Sequence, residues 1–178
     1  SSDVCSSDLI FNDDLSLSFE NASVIREFSN ATESGLEGIS KLYGMSLSKI
    51  FSSKTTGIDG GLRYHSNGAK DGHLNTNGLE IYLGGYIQAW ENGKTYFKLS
   101  ARDYEYKNSE LNVTGSGDNG IRDETESKAI LGASHRFTNG ALKAWSINAQ
   151  ASYTKNDSNL IIYDYDRSII EINLSHSF

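Results

Sequence analysis

An all-β, antiparallel up-and-down transmembrane β-barrel is the fold this sequence predicts. Side chains alternate with period two along most of the chain, short turns alternate with long polar loops, and no apolar run is long enough for a helical membrane span. A spanning helix needs ~18 or more apolar residues in a row. A barrel strand needs only ~10 residues, every second one apolar. The low mean hydropathy of −0.47 is therefore compatible with a membrane location. The soluble alternative, an antiparallel sandwich or lipocalin-like barrel, has the same alternation but turns its apolar face into a core.

The first residues are set aside. Ser1–Leu9 reads SSDVCSSDL, which looks like translated sequencing adapter rather than coding sequence. It holds the only cysteine, Cys5, so no disulfide or thiol chemistry is expected. Removing Asp3 and Asp8 changes the formal charge from −7 to −5. The chain stays acidic without a basic cluster, which argues against nucleic-acid binding. The barrel portion is expected over 10–178, as about eight strands that either close alone or form the C-terminal part of a larger barrel.

Those strands are expected at 14–21, 36–51, 57–65, 79–90, 95–106, 128–137, 141–154 and 160–178. The clearest is 79–90, where Leu79, Ile81, Leu83, Gly85, Ile87 and Ala89 oppose Glu80, Tyr82, Gly84, Tyr86, Gln88 and Trp90. In the same way Phe97, Leu99 and Ala101 oppose Tyr96, Lys98, Ser100 and Arg102, and Ile147, Ala149 and Ala151 oppose Asn148, Gln150 and Ser152. Leu15, Leu17 and Phe19 oppose Ser16, Ser18 and Glu20. The least clean stretch is Ile39–Phe51, where Lys41 and Lys49 share a face with Tyr43, Met45 and Leu47.

Short turns are expected at Ser52–Thr56, Glu91–Lys94 and Thr138–Gly140, the last two carrying Asn-Gly. Longer loops fall at Ala22–Gly35, Ser66–Gly78, Lys107–Ser127 and Lys155–Asn159. In outer-membrane barrels short turns face the periplasm and long loops the exterior. The pairs Gly60-Gly61 and Gly84-Gly85 are expected to mark bends or bulges.

The chain ends with Ile170, Ile172, Leu174, His176 and Phe178 in one row. That row resembles the C-terminal signal read by the barrel assembly machinery. Just before it lie Asn156, Ser158 and Asn159, then Tyr163, Tyr165, Asp166 and Arg167. Asn and Asp suit turns, tyrosines suit a membrane interface, and Asp164, Asp166 and Arg167 are placed to pair across strands near a rim. The run resembles the last strands of the surface lipoprotein assembly modifier (Slam) family and of porin-like relatives. The resemblance covers the last third of the chain. It implies a conduit or secretion-related pore in the bacterial outer membrane, with outer-membrane lipids and the assembly machinery as partners and a surface lipoprotein as client.

One motif points to an enzyme. His65-Ser66-Asn67-Gly68 with downstream Asn77 resembles outer-membrane phospholipase A, and a lipid A deacylase-like barrel is related chemistry. The resemblance implies Ser66 as nucleophile, His65 as base and Asn77 as the amide orienting it. Here His65 directly precedes Ser66, so in a regular strand the two point to opposite faces. Tyr64 stands where the base belongs. No serine-dependent hydrolysis is therefore expected. A structural or adhesive barrel with binding loops is the third reading. His73 and His135 are isolated, and Asp118-Asn119-Gly120 with Asp123, Glu124 and Glu126 does not make a calcium loop. No metal or cofactor is expected.

Overall fold

The computed structural model describes residues 2–12, 14–27, 37–51, 55–71, 74–109 and 121–177. They form one antiparallel sheet of nine strands in chain order: β1 (Ser2–Asn12), β2 (Leu15–Arg26), β3 (Gly38–Ile50), β4 (Thr56–Ala69), β5 (Thr76–Trp90), β6 (Gly93–Ser109), β7 (Ile121–Arg136), β8 (Trp145–Ser158) and β9 (Tyr165–His176). Each strand pairs with the next, so the topology is the up-and-down meander expected. Strands β1 and β9 are the two edges, and the sheet is open between them. Among the described residues there is no helix long and apolar enough to cross a membrane.

Three expectations change. The sheet has nine strands rather than eight, because residues set aside with Ser1–Leu9 form β1, pairing from Ser2↔Val24 to Asn12↔Leu15. The free edge of β2 presents a row of unpaired N–H and C=O groups, and an adjoining extended segment satisfies them. Second, strands run further toward the loops than their apolar patterns do. Strand β4 continues to Ala69, β6 to Ser109 and β8 to Ser158, while β7 begins at Ile121. A hydrogen-bonded ladder needs no apolar side chain, so polar pairs carry the hairpins outward. Thr125 Oγ1, for example, donates to Asp103 Oδ1 across β6 and β7 (3.0 Å). Third, no register shift occurs at Gly60-Gly61 or Gly84-Gly85, which pair continuously through Gly60↔Leu83 and Asp59↔Gly84. The shifts fall instead at Ile10/Asn12, Ile87/Trp90 and Glu105/Ser109.

The turn ends vary in form. Only Glu91 and Asn92 separate β5 from β6, and Asn92 takes the left-handed conformation (φ 58°); Asn tolerates that region through local hydrogen bonding. The expected tight turn at Asn139-Gly140 is absent. Gly140 (φ 73°) opens a short 3₁₀ turn, Gly140–Leu142, and Ala144 (φ 70°) redirects the chain, so β8 starts at Trp145 rather than 141. A second 3₁₀ turn, Ile161–Tyr163, precedes β9, which starts at Tyr165 rather than 160.

The faces of the sheet differ in kind. On β5 the polar-row residues Glu80 and Tyr82 are 3% and 8% exposed, while Ile81 and Leu83 are 58% and 50% exposed. The sheet curls over its polar face. Leu99, Leu131, Ile147, Ile170, Ile172 and Leu174 continue the exposed apolar face across β6 to β9. The lysines of β3 lie at the two ends of its apolar row Tyr43, Met45 and Leu47, so this strand obeys the pattern too.

Small residues let the polar face pack. A Cβ on Gly132 would meet the Tyr96 ring at 2.3 Å, and one on Gly57 would meet the Tyr86 ring at 2.5 Å. Each ring lies across its neighbouring strand. The Tyr96 hydroxyl thereby reaches over β7 to Asn148 Oδ1 (2.9 Å) and Gln150 Oε1 (3.1 Å) on β8.

Candidate functional site: the charged inner face

Strand register places Glu20, Gly44, Arg63, Glu80, Arg102, Glu126, Asn156 and Tyr165 in one continuous row on the polar face. Acid and base alternate along it. Glu80 accepts from Arg102 Nη2 (2.8 Å) and from His65 Nε2 (3.1 Å). Arg63 Nε donates to Glu20 Oε2 (3.2 Å) across β3. Gly44 makes that reach possible, since a Cβ there would lie 3.3 Å from both partners. At the far end the Tyr165 hydroxyl donates to Glu126 Oε2 (3.2 Å). Below the row Tyr82 is flanked by Arg63 (4.6 Å to the ring centroid) and Lys98 (4.9 Å). Its π-face attracts both cations.

Toward the loops a second cluster forms. Arg122 grips the Glu124 carboxylate with two hydrogen bonds (2.7 and 2.9 Å) and stacks on Tyr163 (3.5 Å) and Tyr106 (4.3 Å). Burial pushes the Tyr106 hydroxyl up to about 12, with the Arg122 charge opposing the rise. Toward the turns the face holds an open pocket of about 320 Å³. Its lining includes Arg63, Lys94 and Lys98, with Tyr82, Tyr86 and Tyr96 as walls. An adjoining pocket of about 290 Å³ shares Tyr86 and Lys94 and adds Arg136.

The serine motif divides between faces. Arg63, His65 and Asn67 point to the polar face, where His65 binds Glu80 and Asn67 accepts from Ser40 Oγ (2.7 Å) and from Arg26. Tyr64 and Ser66 point to the apolar face. Ser66 Oγ donates to Asn77 Oδ1 (3.2 Å), so this half of the trio does meet. His65 lies on the opposite face of the sheet from Ser66, and among the described residues Ser66 Oγ has no hydrogen bond to a histidine or carboxylate. The local register explains the motif: an Arg-x-His-x-Asn sequence supplies three inward polar groups on one strand.

The rim residues lock the final loop. Asn159 Oδ1 accepts from the Asp123 amide (2.9 Å) and Asn159 Nδ2 donates to the Ile121 carbonyl (2.7 Å). Ser158 Oγ accepts from the Leu160 amide (3.1 Å), and Asn156 Nδ2 donates to the Tyr163 carbonyl (2.9 Å). Asp164 accepts from the Ser158 amide. Among the described residues neither Asp166 nor Arg167 makes an ion pair with a neighbouring strand: Asp166 lies opposite Lys155 and Arg167 opposite Thr154, and Arg167 is 6.0 Å from the Tyr165 ring centroid.

In the closing strand, Ile170, Ile172 and Leu174 are exposed on the apolar face, and His176 packs on Trp145 (4.9 Å between centroids). Phe178, His73 and Asp118–Gly120 lie outside the described residues. Among the described residues no group of three or more His, Cys, Asp or Glu is placed to hold a metal.

Sequence reasoning missed the Glu20–Arg63–Glu80–Arg102 ladder. Period two puts all four on the polar face, but only register shows that they share a row. Compared with known proteins, the chain matches no family model, no curated protein and no solved structure.

Proposed function

We propose that this chain forms the wall of a bacterial outer-membrane β-barrel whose polar face lines a conduit. One observation carries the reading: the polarity is inverted relative to a water-soluble protein, with Glu80 and Tyr82 covered and Ile81 and Leu83 exposed on the same strand. Burying each such aliphatic side chain in hydrocarbon is worth about 1.5–3 kcal/mol. From Leu79 to Ile87 the row runs about 26 Å along the strand, or about 20 Å of height at a ~40° tilt, close to the ~25 Å apolar band of such barrels.

Aromatic residues border the band at the turn end. Trp90 Nε1 donates to His135 Nδ1 (2.9 Å), His135 meets Phe137 edge-on (4.7 Å), and Trp145 stacks near His176. Amphipathic rings favour that level of a membrane. Lipid tolerates no open sheet edge. In the assembled wall β1 and β9 therefore each take a partner strand.

Within this reading, the resemblance to the surface lipoprotein assembly modifier family adds a lipoprotein client. The test is the full-length protein reconstituted into liposomes loaded with a small polar dye. Dye release that scales with folded protein supports a conduit. Sealed vesicles holding folded protein leave a structural barrel and exclude the pore. Phospholipid hydrolysis in the same vesicles is expected to be absent, and fatty acid release abolished by Ser66→Ala would restore the phospholipase reading.

A further inference from the structure

The two halves of the inner face differ in charge. In the loop-side half Arg63, Arg102 and Arg122 are each bound to a carboxylate, Glu20, Glu80 and Glu124 respectively. In the turn-side half Lys94, Lys98, Lys128, Arg136 and Arg167 project inward and share that region with three inward carboxylates, Asp8, Asp59 and Glu171. None of these five cations is in an ion pair among the described residues. Glu171 is further engaged by the Gln150 amide. A chain of formal charge −7 thus carries a local surplus of positive charge on one half of one face.

That surplus coincides with the two adjoining pockets. Lys94 lines both, lies 5.7 Å from the Tyr86 ring centroid and joins Lys98 on one side to Arg136 on the other, with Asp59 the carboxylate in the lining of the larger pocket. Cations held on tyrosine faces keep their N–H donors free for a ligand, and a charged concave wall of low dielectric concentrates counter-ions. We infer that the turn-side half of the inner face is an anion subsite, selecting solutes that carry phosphate or carboxylate groups. Charge-assisted hydrogen bonds from lysine and arginine are the recognising chemistry. The loop-side ladder, already neutralised, sets no such preference.

The inference rests on the conduit reading, and its test separates the two. The full-length protein is placed in planar bilayers under a KCl gradient, and the reversal potential is measured with and without inorganic phosphate. Chloride is expected to be favoured over potassium by at least about threefold, with phosphate reducing the chloride current. Lys94→Gln combined with Lys98→Gln should bring the ratio close to unity and remove the phosphate effect. Lys155→Gln, which removes a cation paired with Asp157 at the loop end of the apolar face, should leave both unchanged. Conductance that prefers cations, or an anion preference unchanged in the double variant, overturns the subsite and leaves the pore. Absence of conductance from folded, inserted protein overturns the pore and the subsite with it.

Discussion

Leu83 and Tyr82 are adjacent in the chain and opposite in environment. Tyr82 is enclosed by Arg63 and Lys98, while Leu83 projects from the sheet half exposed. In a soluble barrel the leucine would be enclosed and the charged groups would be outside. The comparison shows that the same period-two code specifies either architecture, and that which row the curl covers distinguishes them. An enclosed row of alternating acids and bases is stable because each charge has a partner. An exposed aliphatic row is stable only where the surroundings are themselves apolar.

The largest expected effect comes from placing charge on the exposed row. Leu83→Arg or Ile147→Arg should destabilise the protein in lipid vesicles by roughly 2–4 kcal/mol, the cost of an arginine near mid-membrane. Ser146→Arg, on the polar face, should cost well under that, and urea midpoints in vesicles give all three values. Equal costs on both faces would break the comparison.

Next is the ladder. Glu80→Gln removes the charge that Arg102 and His65 share, and should cost about 1–3 kcal/mol. That is below the range for a fully buried pair, because the Arg102 side chain remains 27% exposed. The same urea titration checks it, and no change would mean that the inner charges are solvated rather than paired.

The smallest is steric. Gly132→Ala forces the Tyr96 ring to move and should cost about 1 kcal/mol, at the low end for overpacking. In a Tyr96→Ala background the cost should largely disappear, which a double-mutant cycle reads directly. Persistence of the full cost would place the strain in the backbone rather than at the ring.

Much of this architecture is legible in the residues themselves. Alternation assigns the faces of β6 and β8, and of β5 as far as Ile87, beyond which a register shift turns Trp90 from its expected polar row to the face of His135 and Ile147. The difficult strand β3 conforms once Lys41 and Lys49 are seen at the ends of its apolar row, where long side chains extend their charges toward water. What the sequence lacks is register. Glu20 and Arg63 lie 43 residues apart, and nothing local says that Gly44 will sit between them. Strand length is also only partly legible: the pattern marks strands at 79–90 and 95–106, while the hydrogen-bonded ladders run over Thr76–Trp90 and Gly93–Ser109. The Asn139-Gly140 turn misleads for a related reason. A favourable dipeptide permits a tight turn, but the chain from Phe137 to Ala144 instead closes through Phe137 N–H to Trp145 O (2.9 Å) and Ala144 N–H to Phe137 O (3.0 Å).

The central claim, that lipid covers one face and water reaches the other, is tested most directly by single cysteines at each position from 79 to 87 in a Cys5→Ser background. The full-length protein is folded into vesicles and treated with a charged, membrane-impermeant thiol reagent. The account predicts a period-two profile, with positions 80, 82, 84 and 86 reacting through the water-filled interior and 79, 81, 83, 85 and 87 protected by lipid. The inverse profile, or a protein that stays monomeric and folded in buffer without lipid or detergent, would contradict it.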